Sequence, residues 1–106
     1  MFISCTPVPP DFIVMNHWNI IILEFDNGEV LEKFLGIDTS TDRYRISSHV
    51  LAYDEESGTG QTLSGSRYWF IDKPGKLHPD AQQVYEQIES QFNAQASLKF
   101  PRIFDA

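Results

Sequence analysis

The chain of 106 residues has the length of one small domain, and its apolar fraction of 42% and charged fraction of 22% are those of a globular protein. Fifteen acidic and eight basic residues give a net charge of −7, which opposes nonspecific binding to nucleic acid because such binding needs clustered Lys and Arg. The single cysteine, Cys5, excludes an intrachain disulfide and any multi-cysteine zinc site within one chain.

The first residues lack the pattern of a signal peptide. Met1–Cys5 carries no basic side chain, and three prolines over residues 7–10 interrupt any apolar segment. An apolar run such as Ile20–Leu23 is far shorter than the ~20 residues that cross a bilayer. We therefore expect a cytoplasmic protein with no membrane and no nucleic-acid partner.

Residues 1–17 indicate an extended lead-in. Pro9 and Pro10 block helix formation and favour polyproline-like geometry. Within this lead-in, Phe12–Met15 is typical of a short edge strand or of a segment laid over the core.

A β-hairpin is predicted from Trp18 onward. Trp18–Phe25 is rich in β-branched and aromatic residues, and Glu29–Ile37 forms the return strand. Asp26–Gly28 joins them with residues that suit a type I′ turn. Gly36 inside the return strand indicates a bulge or a close backbone approach.

Two further strands extend the hairpin into an antiparallel meander over residues 18–71. Tyr44–Asp54 alternates as the third strand, and the glycine-containing turn Glu55–Gly60 leads to a fourth strand, Gln61–Ile71. Gly65 is a plausible bulge in that fourth strand.

The period changes to that of a helix over Pro79–Gln95. Pro79 suits the first helical turn, and apolar side chains recur at spacings of three and four. These are Ala81, Val84, Ile88 and Phe92. The remaining residues, 96–106, form an apolar tail.

The predicted fold is therefore α+β in a single domain. A four- to five-stranded antiparallel twisted sheet, or an open small barrel built as a β-meander, is covered by one C-terminal helix. Phe12–Met15 or the tail would supply the fifth strand.

No group of residues indicates catalysis or metal binding. His17, His49 and His78 do not stand at metal-ligand spacing with another His, Cys or carboxylate. No phosphate-binding glycine loop is present, and Ser64–Ser66 does not match a nucleophile elbow. We predict no metal, no organic cofactor and no catalytic residue, which leaves enzymatic activity open but disfavoured.

A cationic and aromatic patch is the strongest candidate for ligand or partner binding. By period-2 counting, Arg45 and His49 share one face of the third strand, and Arg67 and Trp69 share one face of the fourth. If the two faces coincide, the four side chains form a patch that suits anions or protein partners. The alternative is that Arg67 is solvated and Trp69 lies in the core.

The apolar tail predicts a homodimer. The candidate interface residues are Leu98, Phe100, Ile103 and Phe104. Together with the apolar N-terminal residues they exceed what one sheet and one helix are expected to cover, and a two-fold pairing would bury them. The competing arrangement is a tail that folds back over its own core.

The central 40 residues, Gly36–Gly75, resemble small uncharacterised proteins of bacterial integron gene cassettes and prophages. The matching positions are Gly36, Arg45–Ser48, Val50, Asp54, Gly60, Thr62, Ser64–Ser66, Tyr68, Pro74 and Gly75. Ser47 departs from this pattern, which has Thr there. The resemblance implies a β-rich fold and a mobile-element context, and it implies no catalytic residues.

Three functional hypotheses follow. The first is a non-enzymatic binding or adaptor protein that acts through protein contacts. The second is a small-molecule-binding protein or small enzyme with a pocket between sheet and helix. The third is an acidic inhibitor of a basic toxin or nuclease, which rests on the net charge.

Overall fold

A computed structural model describes residues 12–101. Cys5, residues 1–11 of the lead-in, Ile103 and Phe104 lie outside the described residues. Within the described range the elements in chain order are β1 (Phe12–Glu24), β2 (Val30–Asp38), β3 (Arg43–Asp54), β4 (Thr59–Thr62), β5 (Arg67–Phe70), α1 (Pro79–Phe92) and β6 (Gln95–Leu98).

The first five strands close into a barrel. Consecutive strands from β1 to β5 pair antiparallel, and the start of β1 pairs with β5, from Phe12 beside Arg67 to Met15 beside Phe70. This closing pair is parallel because an odd number of alternating strands gives the first and last the same direction. The α+β class is confirmed, while the parallel closure and the sixth strand were not predicted.

β1 begins six residues earlier than the predicted strand start at Trp18. Its first half completes the barrel against β5, and its second half pairs antiparallel with β6, with Ile21 beside Leu98. The parallel partner of Phe12–Met15 lies more than 50 residues away in sequence, so no local turn signal marks this pairing. Both segments considered for a fifth strand are therefore used, one in the barrel and one beside it.

A bulge in β1 fits against a glycine of β2. The two residues between Asn16 and Asn19 lie opposite Gly36 alone, and His17 takes a positive φ of 47°. A Cβ added to Gly36 would lie 2.5 Å from the Cβ of Trp18, so the strands approach more closely there than any side chain permits. The close approach predicted at Gly36 is confirmed.

The barrel interior is filled by aromatic rings. Trp18 stacks on Phe70 with ring centroids 3.7 Å apart and an interplanar angle of 15°. The indole N–H of Trp18 donates to the carbonyl of Asp72 at 2.9 Å, so its polar atom is satisfied. The other residues of this inner core are Met15, Ile20, Phe34 and Tyr68, with Ile13, Val50, Tyr53 and Phe100 packed against them.

A second core lies between the outer face of the sheet and α1. Its buried members are Ile21, Leu23, Leu35, Leu77, Ala81 and Ile88. The helix begins at Pro79 as predicted, where the side chain of His78 accepts a hydrogen bond from the N–H of Asp80 at 3.0 Å. It ends at Phe92, before the predicted Gln95, because Asn93 adopts the left-handed conformation that caps helices.

Buried Asn19 fastens the tail to β1. Its amide donates to the carbonyls of Gly75 at 2.9 Å and Phe100 at 2.8 Å, and its oxygen accepts from the N–H groups of Ile20 and Phe100. Phe100 and Leu98 pack within the chain, which is the arrangement that competed with the dimer. The homodimer, and the place of these residues in its interface, stay predictions.

The hairpin of β1 and β2 is confirmed, but its turn differs from the predicted type. The N–H of Gly28 donates to the carbonyl of Phe25 at 2.9 Å. Positive φ in this turn occurs at Gly28 alone, at 89°, whereas a type I′ turn needs it at two residues. A three-residue loop, a β-turn followed by a left-handed glycine, therefore joins the strands.

The predicted fourth strand, Gln61–Ile71, is wrong because it contains a turn. Gly65 has a φ of 94°, and its N–H donates to the carbonyl of Thr62 at 2.9 Å. The chain reverses there, so residues 59–62 and 67–70 form two short antiparallel strands. Ser64–Ser66 is thus a turn and not a bulge within one strand.

We expect Gly36→Ala to destabilise the protein by at least about 3 kcal/mol, because the new methyl group would overlap Trp18 in the tightly packed wall of the barrel. Denaturant unfolding of the variant measures this change. Gly75→Ala is the matched control, since a Cβ there meets no atom within 4 Å, and it should change stability by less than about 0.5 kcal/mol. Equal effects of the two substitutions would contradict the close packing.

Candidate functional site

The four residues of the predicted cationic patch lie in three separate places. β4 separates β3 from β5, and the register places Arg67 beside Gln61, which in turn pairs with Ala52 of β3. Arg45 lies seven residues further back along β3, next to α1. Period-2 counting failed here because it assumed a regular third strand and neighbouring strands. The register of β3 shifts between Ile46 and His49, so Arg45 pairs with Gly36 and His49 with Lys33, on opposite faces of the sheet.

Arg67 and Trp69 hold the start of β1 at the barrel closure. The guanidinium of Arg67 lies 4.6 Å from the ring centroid of Phe12, and Trp69 meets the same ring edge-on at 6.1 Å. Trp69 is half-buried and pairs with Val14 across the parallel ladder. These contacts stabilise the closing pair of strands.

His49 is half-buried beside Lys33 of β2. Its Nδ1 atom is buried and has no hydrogen-bond partner among the described residues. The ammonium of Lys33 donates to the carbonyl of Ser47 at 3.1 Å and lies 5.4 Å from the ring centroid of Phe92. Burial lowers the pKa of Lys33. Lys33 thus links β2 to β3 and α1, and neither Lys33 nor His49 lines the cleft described next.

A cleft of about 560 Å³ lies between β3 and α1. Arg45 is the one predicted patch residue that it contains. Its lining residues are Arg43, Tyr44, Arg45 and Ile46 of β3 and Asp80, Gln83, Val84 and Gln87 of α1.

This cleft follows the edge of a strand. Side chains alternate between the two faces of a strand, so four consecutive residues line one cleft only when it runs along the strand's edge. β4 pairs with β3 from Val50 to Asp54 and does not reach the first half of the strand. No strand within residues 12–101 covers this side of Arg43–Ser47.

The backbone N–H and C=O groups of Tyr44 and Ile46 point away from β2 at this edge. The backbone N–H of Phe34 donates to Ser47 Oγ at 2.8 Å. The backbone N–H and C=O groups of the even-numbered residues of β2 therefore point towards β3. Gly36 and Asp38 therefore face their partners Arg45 and Arg43 across the ladder. By the same alternation, the N–H and C=O groups of Tyr44 and Ile46 point away from β2 and towards the cleft.

Glutamine side chains form the helical wall opposite this edge. Gln83, Gln87 and Gln91 are spaced four residues apart and share one face of α1. A second cavity of about 430 Å³, which also contains Tyr44, Val84 and Gln87, continues the cleft to Ser90 and Gln91. We call the combined cleft, from Asp80 to Gln91 along the free side of β3, the edge groove.

An ion pair fixes one of the two arginines of the edge groove. Arg45 Nη1 lies 3.4 Å from Asp38 Oδ2, and the other oxygen of Asp38 accepts from the N–H and hydroxyl of Ser40. Asp38 is buried, whereas 45% of the Arg45 side chain remains exposed. Arg43 is exposed at the start of the strand, so both cations border the groove.

Two other kinds of site are absent from the described part of the chain. Residues 12–101 contain no helix that is long and apolar enough to cross a membrane. Over the same residues, no group of three or more His, Cys, Asp or Glu side chains lies in an arrangement that could hold a metal ion.

Comparison with known proteins gives no match to a protein-family model, to a curated protein or to a solved structure. The resemblance of Gly36–Gly75 to integron-cassette and prophage proteins therefore stays a prediction.

Proline substitutions test the backbone orientation at this edge. We expect Tyr44→Pro to keep the fold, because proline is tolerated at an edge position whose missing N–H faces away from the sheet. Arg45→Pro should cost about 1–3 kcal/mol more than Tyr44→Pro, since it removes a ladder hydrogen bond and leaves the acceptor on β2 unpaired. Thermal unfolding measures both variants, with Tyr44→Ala and Arg45→Ala as side-chain controls. A larger proline cost at Tyr44 than at Arg45 would reverse the assigned orientation.

Proposed function

We propose that this protein is a non-enzymatic binding module that acts through protein contacts. It takes an extended segment of a partner protein into the edge groove as an added strand beside β3. The observation that carries this proposal is the cleft along a free strand edge, lined by Arg43–Ile46. An exposed edge offers unpaired N–H and C=O groups, and addition of a partner strand satisfies them.

The dimensions of the edge groove suit such a segment. The free part of β3, Arg43–Ser47, extends about 16 Å at ~3.3 Å per residue. The helical wall from Asp80 to Gln91 extends about 18 Å at 1.5 Å per residue. The free edge therefore offers room for about five residues of a partner strand, and the helical wall is at least as long.

The alternative of a small-molecule pocket between sheet and helix has weaker support. Sites for small molecules bury most of the ligand surface. In the first cavity of the edge groove the lining is largely solvent-exposed, with only Ile46 and Val84 half-buried. The described lining of the groove contains one carboxylate, Asp80, and no histidine or cysteine, which disfavours acid–base or thiol chemistry.

The alternative of an acidic inhibitor rests on the net charge of −7. The edge groove contains Arg43 and Arg45, so its strand side presents cations and not the acidic surface that such an inhibitor needs. Strand addition uses the free backbone of this edge, which the inhibitor hypothesis leaves without a role.

Selection from a displayed library of random twelve-residue peptides tests the proposed function. We expect selected peptides to shift the backbone amide resonances of Tyr44 and Ile46 and the side-chain amides of Gln83 and Gln87 in heteronuclear NMR spectra. Tyr44→Pro should weaken their binding at least tenfold because it removes an outward-facing N–H. Tyr44→Ala keeps that N–H and should weaken binding less. Failure to select any peptide, or shifts confined to other surfaces, would contradict the proposed function.

A further inference from the structure

We infer that the partner segment carries acidic residues at alternate positions, opposite Arg43 and Arg45. This inference rests on the proposed function and specifies the chemistry of the partner. It follows from the way in which β3 distributes its side chains over two faces.

The faces of an added strand would meet different surroundings. Arg43 and Arg45 lie two residues apart and share one face of β3. Tyr44 and Ile46 lie on the other face, where Ile46 packs into the core beneath α1. An added strand continues this alternation, so every second residue of the partner lies beside the arginine face.

Cross-strand charge pairing favours a carboxylate beside each arginine. Directly opposed side chains have Cβ atoms about 4.5–5.5 Å apart, where opposite charges stabilise and like charges destabilise a pair of strands. Asp38 approaches Arg45 from the β2 side of the strand, at 3.4 Å. The outer side of both arginines faces the edge groove, where the partner strand supplies the second neighbour.

Asp80, the acidic residue of the helical wall, lies near the other face of the added strand. Asp80 belongs to α1, so it neighbours the partner residues that lie beside Tyr44 and Ile46. Those residues also meet Val84 and the amides of Gln83 and Gln87, which suit apolar, hydroxyl or amide side chains. The predicted partner pattern is thus an acidic residue at every second position with apolar or neutral polar residues between.

Most of the acidic residues that give the net charge of −7 lie further from the groove than the two arginines do. At physiological ionic strength, charges separated by more than ~8 Å are largely screened. Opposed side chains on neighbouring strands lie within that distance, so Arg43 and Arg45 act on the occupant directly, although Asp38 already pairs with Arg45.

Three displayed libraries of twelve-residue peptides test this inference. Alternate positions are fixed as Glu, Gln or Lys, and the positions between them are randomised. We expect the Glu library to give the tightest binders, about tenfold tighter than those of the Lys library, with the Gln library between them. Two charge pairs that change from attractive to repulsive account for a difference of this size.

Charge reversal at the edge provides the matched variants. Arg43→Glu should reduce or reverse the preference for Glu over Lys, whereas Lys73→Glu makes the same charge change in an exposed loop outside the edge groove and should leave it unchanged. Peptides that shift Tyr44 and Ile46 but show no preference for Glu would overturn this inference alone. If no peptide of any library shifts those amides, the proposed function fails with it.

Discussion

The contact between Gly36 and the bulge of β1 is the constraint on which both cores depend. The bulge at His17 inserts one extra residue, so Met15 and Trp18 both point into the barrel although three positions separate them. Beyond the bulge, Ile20 faces the barrel and Ile21 faces α1. A side chain at residue 36 would separate the two strands at the point where β1 changes from one packing environment to the other.

Unequal strand lengths then create the edge groove. β3 has 12 residues and β4 has only four, so β4 covers the second half of β3 and leaves the first half free on one side. The turn at Gly65 sends the chain back to close the barrel with β1 instead of extending β4 along this edge. Arg43 and Arg45 place charge beside the free edge, a feature that protects exposed strands from uncontrolled pairing.

Local signals predicted the elements whose partners are close in sequence. The turn residues Asp26–Gly28 revealed the first hairpin, and the apolar stripe that follows Pro79 revealed α1. The closure of β1 on β5 escaped prediction because its pairing residues lie 55 positions apart and no turn joins them. The strand Gln61–Ile71 was wrong because Gly65 carries the same sequence signal in a bulge as in a turn.

The prediction of the site likewise depended on which strands lie next to each other. Arg45 was found as a candidate, but its association with Arg67 assumed that β3 and β5 are adjacent. Arg43 and Tyr44 were missed because the free edge of β3 depends on the length of β4, which the sequence pattern overstated. The four-residue spacing of Gln83, Gln87 and Gln91 was visible in the sequence, but it was not recognised as a candidate binding surface.

Amide hydrogen exchange along the first half of β3 tests the central claim, a strand edge that is bonded on one side and free on the other. The account predicts strong protection of the Arg45 N–H, which faces β2, and rapid exchange of the Tyr44 N–H, which faces the edge groove. Both amides belong to one strand and become exposed together when the protein unfolds. A difference between their exchange rates therefore reports hydrogen bonding at the edge and not overall stability. Protection of Tyr44 equal to that of Arg45 would show that the edge is already covered and would contradict the account.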